Sequence, residues 1–182
     1  MILFFGPPGS GKSVQGELLV KRNGWYWLST GELFRQSEDW EVLHRLATGE
    51  LIDDELTNKV LDEAVRAVKG TGPIVVDGYP RNLQQVKWLE GYLPKVGRKI
   101  ECVLVFEVPR EELVARLSGR GRVEDTEAVI NRRLDIYEDK TRPVIDYYRM
   151  TDVPVLTVDG MGPIAEVHER IYTAVEACLR AR

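Results

Sequence analysis

Residues 6–13 read GPPGSGKS, a GxxxxGK[ST] pattern that directly follows the apolar run ILFF and opens a helical stretch. Few segments restrict a fold so strongly. Gly6, Gly9 and Gly11 supply backbone conformations that turn successive N–H groups toward a polyphosphate, and the N-terminus of the following helix adds partial positive charge there. Lys12 is then placed to reach across the β- and γ-phosphates. Glycine and lysine also occur in ordinary tight turns, but a strand before and a helix after are the context that a phosphate-binding loop requires.

Short apolar runs at 2–5, 25–28, 74–76, 103–108 and 155–158 are mostly β-branched or aromatic, as strands buried on both faces are. Helical patterns occupy 13–22, 40–47, 55–68, 83–92, 111–117, 126–139, 143–149 and 163–179. The alternation predicts an α/β fold of the P-loop NTPase type, three layers with a five-stranded parallel sheet wrapped by helices. No repeat or linker divides residues 1–182, so one domain is expected. Two segments interrupt the alternation. Residues 30–58 are mainly helical, and residues 118–125 (SGRGRVED) are short, glycine-containing and charged.

A net charge of −4 argues against a nucleic-acid binder that relies on a basic face. Cys102 and Cys178 have neither metal-ligand spacing nor a disulfide pattern, which fits buried thiols in a reducing, cytoplasmic setting. The opening MILFF is strand-like and is expected to be neither a signal peptide nor a membrane span.

Asp77 ends the run IVVD, so its carboxylate should emerge at the carboxyl edge of a strand, where open α/β sheets place ligands. It suits Mg²⁺, held directly or through water, or else it caps the turn before Gly78. Arg35 and Arg81 lie just beyond strand ends and are placed to converge on one anionic group, as two guanidiniums do around a monophosphate. Arg116, Arg120, Arg122 and Arg133 need anions in an acidic chain: either the neighbouring Glu124 and Asp125, or a substrate closed upon by a clamp. A phosphate-binding loop alone does not separate a hydrolase, a kinase and a binding module.

The segments GPPGSGKS, STGELFR (29–35), GELIDDELT (49–57), DGYPRNLQQ (77–85), RLSGR (116–120), RVEDTEAVINRRLDIYEDKTRPVIDYY (122–148) and VDGMGPIAEV (158–167) resemble, in order, the motifs of the adenylate kinases. The resemblance spans nearly the whole chain. It implies reversible transfer of the γ-phosphoryl group from Mg·ATP to AMP, giving two ADP. It also implies a core of 1–29, 59–115 and 126–182, an AMP-binding insertion at 30–58 and a lid at 116–125. A monomer is expected.

Carried over by position, Gly9, Ser10, Gly11, Lys12, Ser13 and Val14 would hold the ATP phosphates. Arg116 would stack on the ATP adenine, whose edge the backbone near Gly162 would receive. Arg35 and Arg81 would hold the AMP phosphate, while Thr30, Gly31, Leu51, Ile52, Gly78 and Gln85 would line its base and ribose. Arg116, Arg120, Arg122 and Arg133 would close over the transferring group, the last two also reaching AMP. No general base is required, because AMP already offers an ionised oxygen.

In the related UMP/CMP kinases the place of Thr30 is usually Ala and that of Gln85 usually Asn, so this pair is of the AMP type. Asn82 is similar to the pyrimidine enzymes, which keeps a UMP/CMP kinase as the alternative, with a weakly catalytic nucleotide sensor behind it. Two departures stand out. Ser13 and Val14 replace the family's Gly and Thr, so Ser13 contacts phosphate or Mg²⁺-bound water, or merely caps the helix. Between Arg120 and Arg122 only Gly121 remains, a lid shorter than even the family's short form and without the cysteines of its zinc-bearing variant.

Overall fold

Strands β1 (Ile2–Phe5), β2 (Tyr26–Ser29), β3 (Ile74–Asp77), β4 (Cys102–Glu107) and β5 (Val155–Asp159) pair in parallel in the order β2-β3-β1-β4-β5. The computed structural model describes residues 1–122 and 125–181. Alternation along the strands divides the interior in two. Leu3, Phe5, Val76, Val103 and Val105 enter one apolar cluster, whereas Ile2, Phe4, Val75, Leu104 and Phe106 enter another. Both faces are therefore dry, and the apolar runs in the sequence are continuous for that reason. Cys102 is buried in the second cluster, and no disulfide joins it to the half-buried Cys178.

The helices are α1 (Lys12–Asn23), α2 (Thr30–Arg35), α3 (Trp40–Thr48), α4 (Asp54–Ala67), α5 (Leu83–Tyr92), α6 (Arg110–Gly119), α7 (Glu127–Ile136), α8 (Arg142–Arg149) and α9 (Ile164–Arg180). Side chains set several of their starts: Asp39 and Asp53 each accept two backbone N–H bonds ahead of α3 and α4, and Asn82 accepts one ahead of α5. Gly24, at φ 68°, ends α1 in the left-handed region while the Trp25 N–H returns to the Val20 carbonyl at 3.0 Å. That closure takes Trp25 out of the sheet, so β2 begins one residue later than the apolar run suggests.

The pattern at 126–139 and 143–149 predicts two helices, but the chain runs through without a break. A π-helical turn at Tyr137–Thr141 joins α7 to α8 and buries Tyr137 and Thr141. Widened turns of this kind recur at functional sites because they redirect side chains. Among the described residues no helix is long and apolar enough to cross a membrane.

The order of the sheet reverses on either side of β1, since β3 lies on one flank and β4 on the other. In open parallel sheets that reversal opens a crevice at the carboxyl ends of the strands, where ligands bind. Phe5, Asp77 and Glu107 end the three strands there.

Candidate active site

The phosphate-binding loop leaves β1 and enters α1 across this crevice. Gly9 and Gly11 adopt φ 85° and 94°, and a Cβ on Gly9 would stand 2.9 Å from Leu117 of α6. Glycine is thus required here for conformation and for close packing together. The Lys12 ammonium folds back onto the loop, donating to the Gly6 carbonyl at 2.7 Å, the Pro7 carbonyl at 3.0 Å and the buried Ser10 hydroxyl at 3.3 Å. Burial holds its pKa below the ordinary lysine range; Asp77 opposes this, while Arg81 and Arg120 add to it.

Asp77 is 8% exposed, and its Oδ2 accepts from Ser13 at 3.2 Å and from Ser29 at 3.5 Å. Its Oδ1 is buried and has no hydrogen-bond partner among the described residues. A carboxylate oxygen left over in this way, beside a hydroxyl, is a hard donor set suited to Mg²⁺ or its waters. No group of three or more Asp, Glu, His or Cys gathers among the described residues, so an ion there would take most of its ligands from phosphate and water.

A cavity of about 390 Å³ opens beside Asp77, with Lys12, Arg35, Arg81, Arg120, Arg122 and Arg133 on its walls. The electrostatics record the convergence. Burial lowers the pKa of Arg81, Asp77 opposes, and Arg133 and Arg35 lower it further. Arg120 and Arg133 both reach Asp125, one of the two neighbouring carboxylates that the sequence offered as partners. Glu124, the other candidate partner, lies outside the described residues.

Gly9, Gly11, Ser13, Val14, Gly31, Leu51, Gly78 and Arg116 also line the cavity. Arg116 donates to Glu112 at 2.7 Å and to the Gly160 carbonyl at 3.2 Å, which ties α6 to the turn that carries Gly162 at φ 102°. Ser10, Thr30, Ile52, Gln85 and Gly162 are not among the lining residues. Thr30 donates to the Gly78 carbonyl at 3.0 Å, and Ile52 packs with Phe34 and Val42. The side chain of Gln85 is engaged by Arg81 and Asp54.

Thr141, Arg132, Glu50 and the Leu46 carbonyl are contributors that sequence reading did not single out. Thr141 donates to the Arg81 carbonyl at 3.2 Å, Arg133 donates to the Leu46 carbonyl at 3.0 Å, and Arg132 pairs with Glu50 at 2.8 Å. The last two link α7 to the end of α3 and the turn after it. Only the π turn explains Thr141, and nothing local in the sequence announces that turn.

Cations converging on a phosphate cradle, with one aspartate oxygen to spare beside them, are the equipment of phosphoryl transfer, and with this sheet order they define a P-loop phosphotransferase. Family comparison narrows the class. The adenylate kinase family model matches residues 4–153, and the chain belongs to that family of nucleoside monophosphate kinases. It is 39% identical over 180 residues to the adenylate kinases of Mycolicibacterium paratuberculosis and Mycolicibacterium vanbaalenii, covering 96% of this chain and 98% of each relative. The adenylate kinase of Mycobacterium tuberculosis is 38% identical over the same length and coverage.

Proposed function

We propose that the protein catalyses reversible, Mg²⁺-dependent transfer of the ATP γ-phosphoryl group to AMP, giving two ADP. The observation that carries this reading is the cavity itself, where Arg35 and Arg81 face the phosphate-binding loop with Lys12, Arg120, Arg122 and Arg133 around them. One set of cations suits a donor polyphosphate and the other an acceptor monophosphate, which is what direct transfer requires.

Gly9, Ser10, Gly11, Lys12, Ser13 and Val14 hold the donor phosphates through backbone N–H groups and the ammonium. Lys12 exchanges its loop carbonyls for phosphate oxygens when ATP enters. Arg116 and the turn at Gly162 receive the donor adenine. Arg35 and Arg81 grip the acceptor phosphate, an oxygen of which attacks the γ-phosphorus as the bond to the β–γ bridging oxygen breaks. Arg120, Arg122 and Arg133 neutralise charge on the transferring group, replacing Asp125 with substrate oxygens. Asp77 and Ser13 would hold Mg²⁺, directly or through water, and the bound ion would supply electrostatic neutralisation of the polyphosphate.

Residues 30–58 serve as the AMP-binding insertion and the 116–125 segment as a reduced lid. Thr30, Gly31, Leu51, Ile52, Gly78 and Gln85 surround the acceptor nucleoside. Gln85 retains an N–H and a lone pair beyond its protein bonds, enough to donate to and accept from an adenine edge.

A coupled assay of ATP with AMP, UMP or CMP tests the proposal. Strong preference for AMP is expected, and preference for a pyrimidine monophosphate would overturn the acceptor assignment. The reaction needs only soluble nucleotides, and we place it in the cytoplasm with a monomeric enzyme.

A further inference from the structure

Asp54 opens α4, yet its carboxylate serves the loop that carries Arg81. Its Oδ1 accepts from Gln85 Nε2 at 2.7 Å and from Asn82 Nδ2 at 2.9 Å. The opposite end of the Gln85 amide, Oε1, accepts the Arg81 backbone N–H at 2.7 Å, and the Gln85 N–H donates to Asn82 Oδ1 at 2.9 Å. Three side chains thus close a ring, with one arm on Arg81. Gln85 is 2% exposed, so water does not substitute for these bonds at low cost.

The polarity of the ring follows from Asp54. A carboxylate only accepts, so the amides of Gln85 and Asn82 must both turn their nitrogens toward it. Once Nε2 is so directed, Oε1 faces the Arg81 N–H. The Arg81 carbonyl is held by Thr141 at 3.2 Å, and its Nε donates to the Gly78 carbonyl at 2.8 Å. Arg81, a residue of the cavity lining, is therefore fixed at both backbone groups and at the root of its guanidinium. A phosphate-gripping arginine pre-organised in this way forfeits less on binding.

We infer that Asp54 is a positioning residue of the acceptor site, setting the Gln85 amide and through it the Arg81 loop, so that monophosphate binding depends on it while ATP binding does not. This rests on the reading of Arg81 as an acceptor-phosphate ligand.

Calorimetric titration of AMP and, separately, of ATP into wild type, Asp54→Ala and Asp54→Asn tests it, with steady-state KM and kcat and thermal unfolding measured alongside. Asp54→Ala is expected to weaken AMP binding by about tenfold or more, the worth of a charge-assisted buried bond, with ATP binding within about twofold. Asp54→Asn keeps the shape and one accepting oxygen, and it should fall between wild type and alanine. Unchanged AMP affinity in both variants would overturn the inference. Equal weakening of AMP and ATP, accompanied by a lowered Tm, would reduce Asp54 to a structural role and overturn it as well. If the alanine variant does not fold, the asparagine variant decides by the same comparison. Wild type that binds UMP and not AMP would sink the adenine assignment alone, and the variants are then compared with UMP. Wild type that binds no monophosphate would sink both.

Discussion

Arg120 grips Asp125 with two prongs, its Nε and Nη2 each 2.7 Å from a different carboxylate oxygen. Arg133 joins the same carboxylate at 3.0 Å, and the Asp125 side chain is only 1% exposed. Two cations from opposite ends of the 120–133 stretch, both on the cavity wall, are thereby held by one carboxylate. Replacing Asp125 by alanine should cost about 1–3 kcal/mol of stability, because charge-assisted bonds to a buried group are lost. Urea denaturation of the two proteins measures this, and a difference near zero would show that the pairing is only incidental.

Among the described residues, the Lys12 ammonium donates only to its own loop, at the Gly6 and Pro7 carbonyls and Ser10. Its removal should leave the fold intact. Lys12→Met is expected to lower kcat by about 10²–10³-fold, the scale of losing one preorganised charge at a developing anion. Circular dichroism with single-turnover kinetics would check both halves, and near-normal turnover would exclude Lys12 from the chemistry.

Arg35 lines the cavity, its guanidinium beside Gly31, and ends α2; in the proposed reading it grips the acceptor phosphate. Losing one charge-assisted contact to phosphate costs about 1.5–3 kcal/mol, which is about 10–100-fold in affinity. Arg35→Ala should therefore raise KM for AMP by that factor and leave KM for ATP nearly unchanged. A rise in both constants together would place Arg35 elsewhere in the mechanism.

Between the end of α6 and the start of α7 the chain has only residues 120–126. If this stretch serves as the proposed lid, its length predicts little cover for the transferring group and weaker exclusion of water. Slow ATP hydrolysis without AMP is expected. An undetectable rate under conditions of brisk transfer would refute it.

His168 of α9 is 9% exposed, and its buried Nδ1 has no hydrogen-bond partner among the described residues. Burial lowers its pKa from the ordinary 6.5, Arg22 lowers it further, and Glu169 opposes them. Below pH 6.5 the unfolded chain binds a proton that the folded chain refuses, so stability falls as the pH drops toward the folded pKa and then levels off. Denaturation of wild type and His168→Leu between pH 7 and pH 5 should show a shallower slope for the variant. Parallel slopes would dismiss the histidine as a contributor.

Much of the site is written in contiguous residues. The phosphate-binding loop is legible because its turn, its glycines and its lysine are neighbours in sequence, and Asp77 because a strand's end fixes where a carboxylate emerges. The alternation of apolar runs and helical patterns settles the parallel sheet for a similar local reason, since each period reports one element's buried face. Even the paired arginines can be suspected from their places after strand ends. What the sequence does not contain is who holds them. Asp54 and Gln85 are 31 positions apart, and Arg133 and Leu46 are 87. Such contacts exist because the order β2-β3-β1 brings the ends of distant strands, and the helices that leave them, into one crevice. The π turn that delivers Thr141 to the Arg81 loop is likewise decided by packing, for helical periodicity alone is indifferent to one widened turn. Sequence determines the cradle and the cations; tertiary structure decides which hydrogen bonds hold the cations still, because hydrogen bonds depend on proximity and local patterns do not encode it.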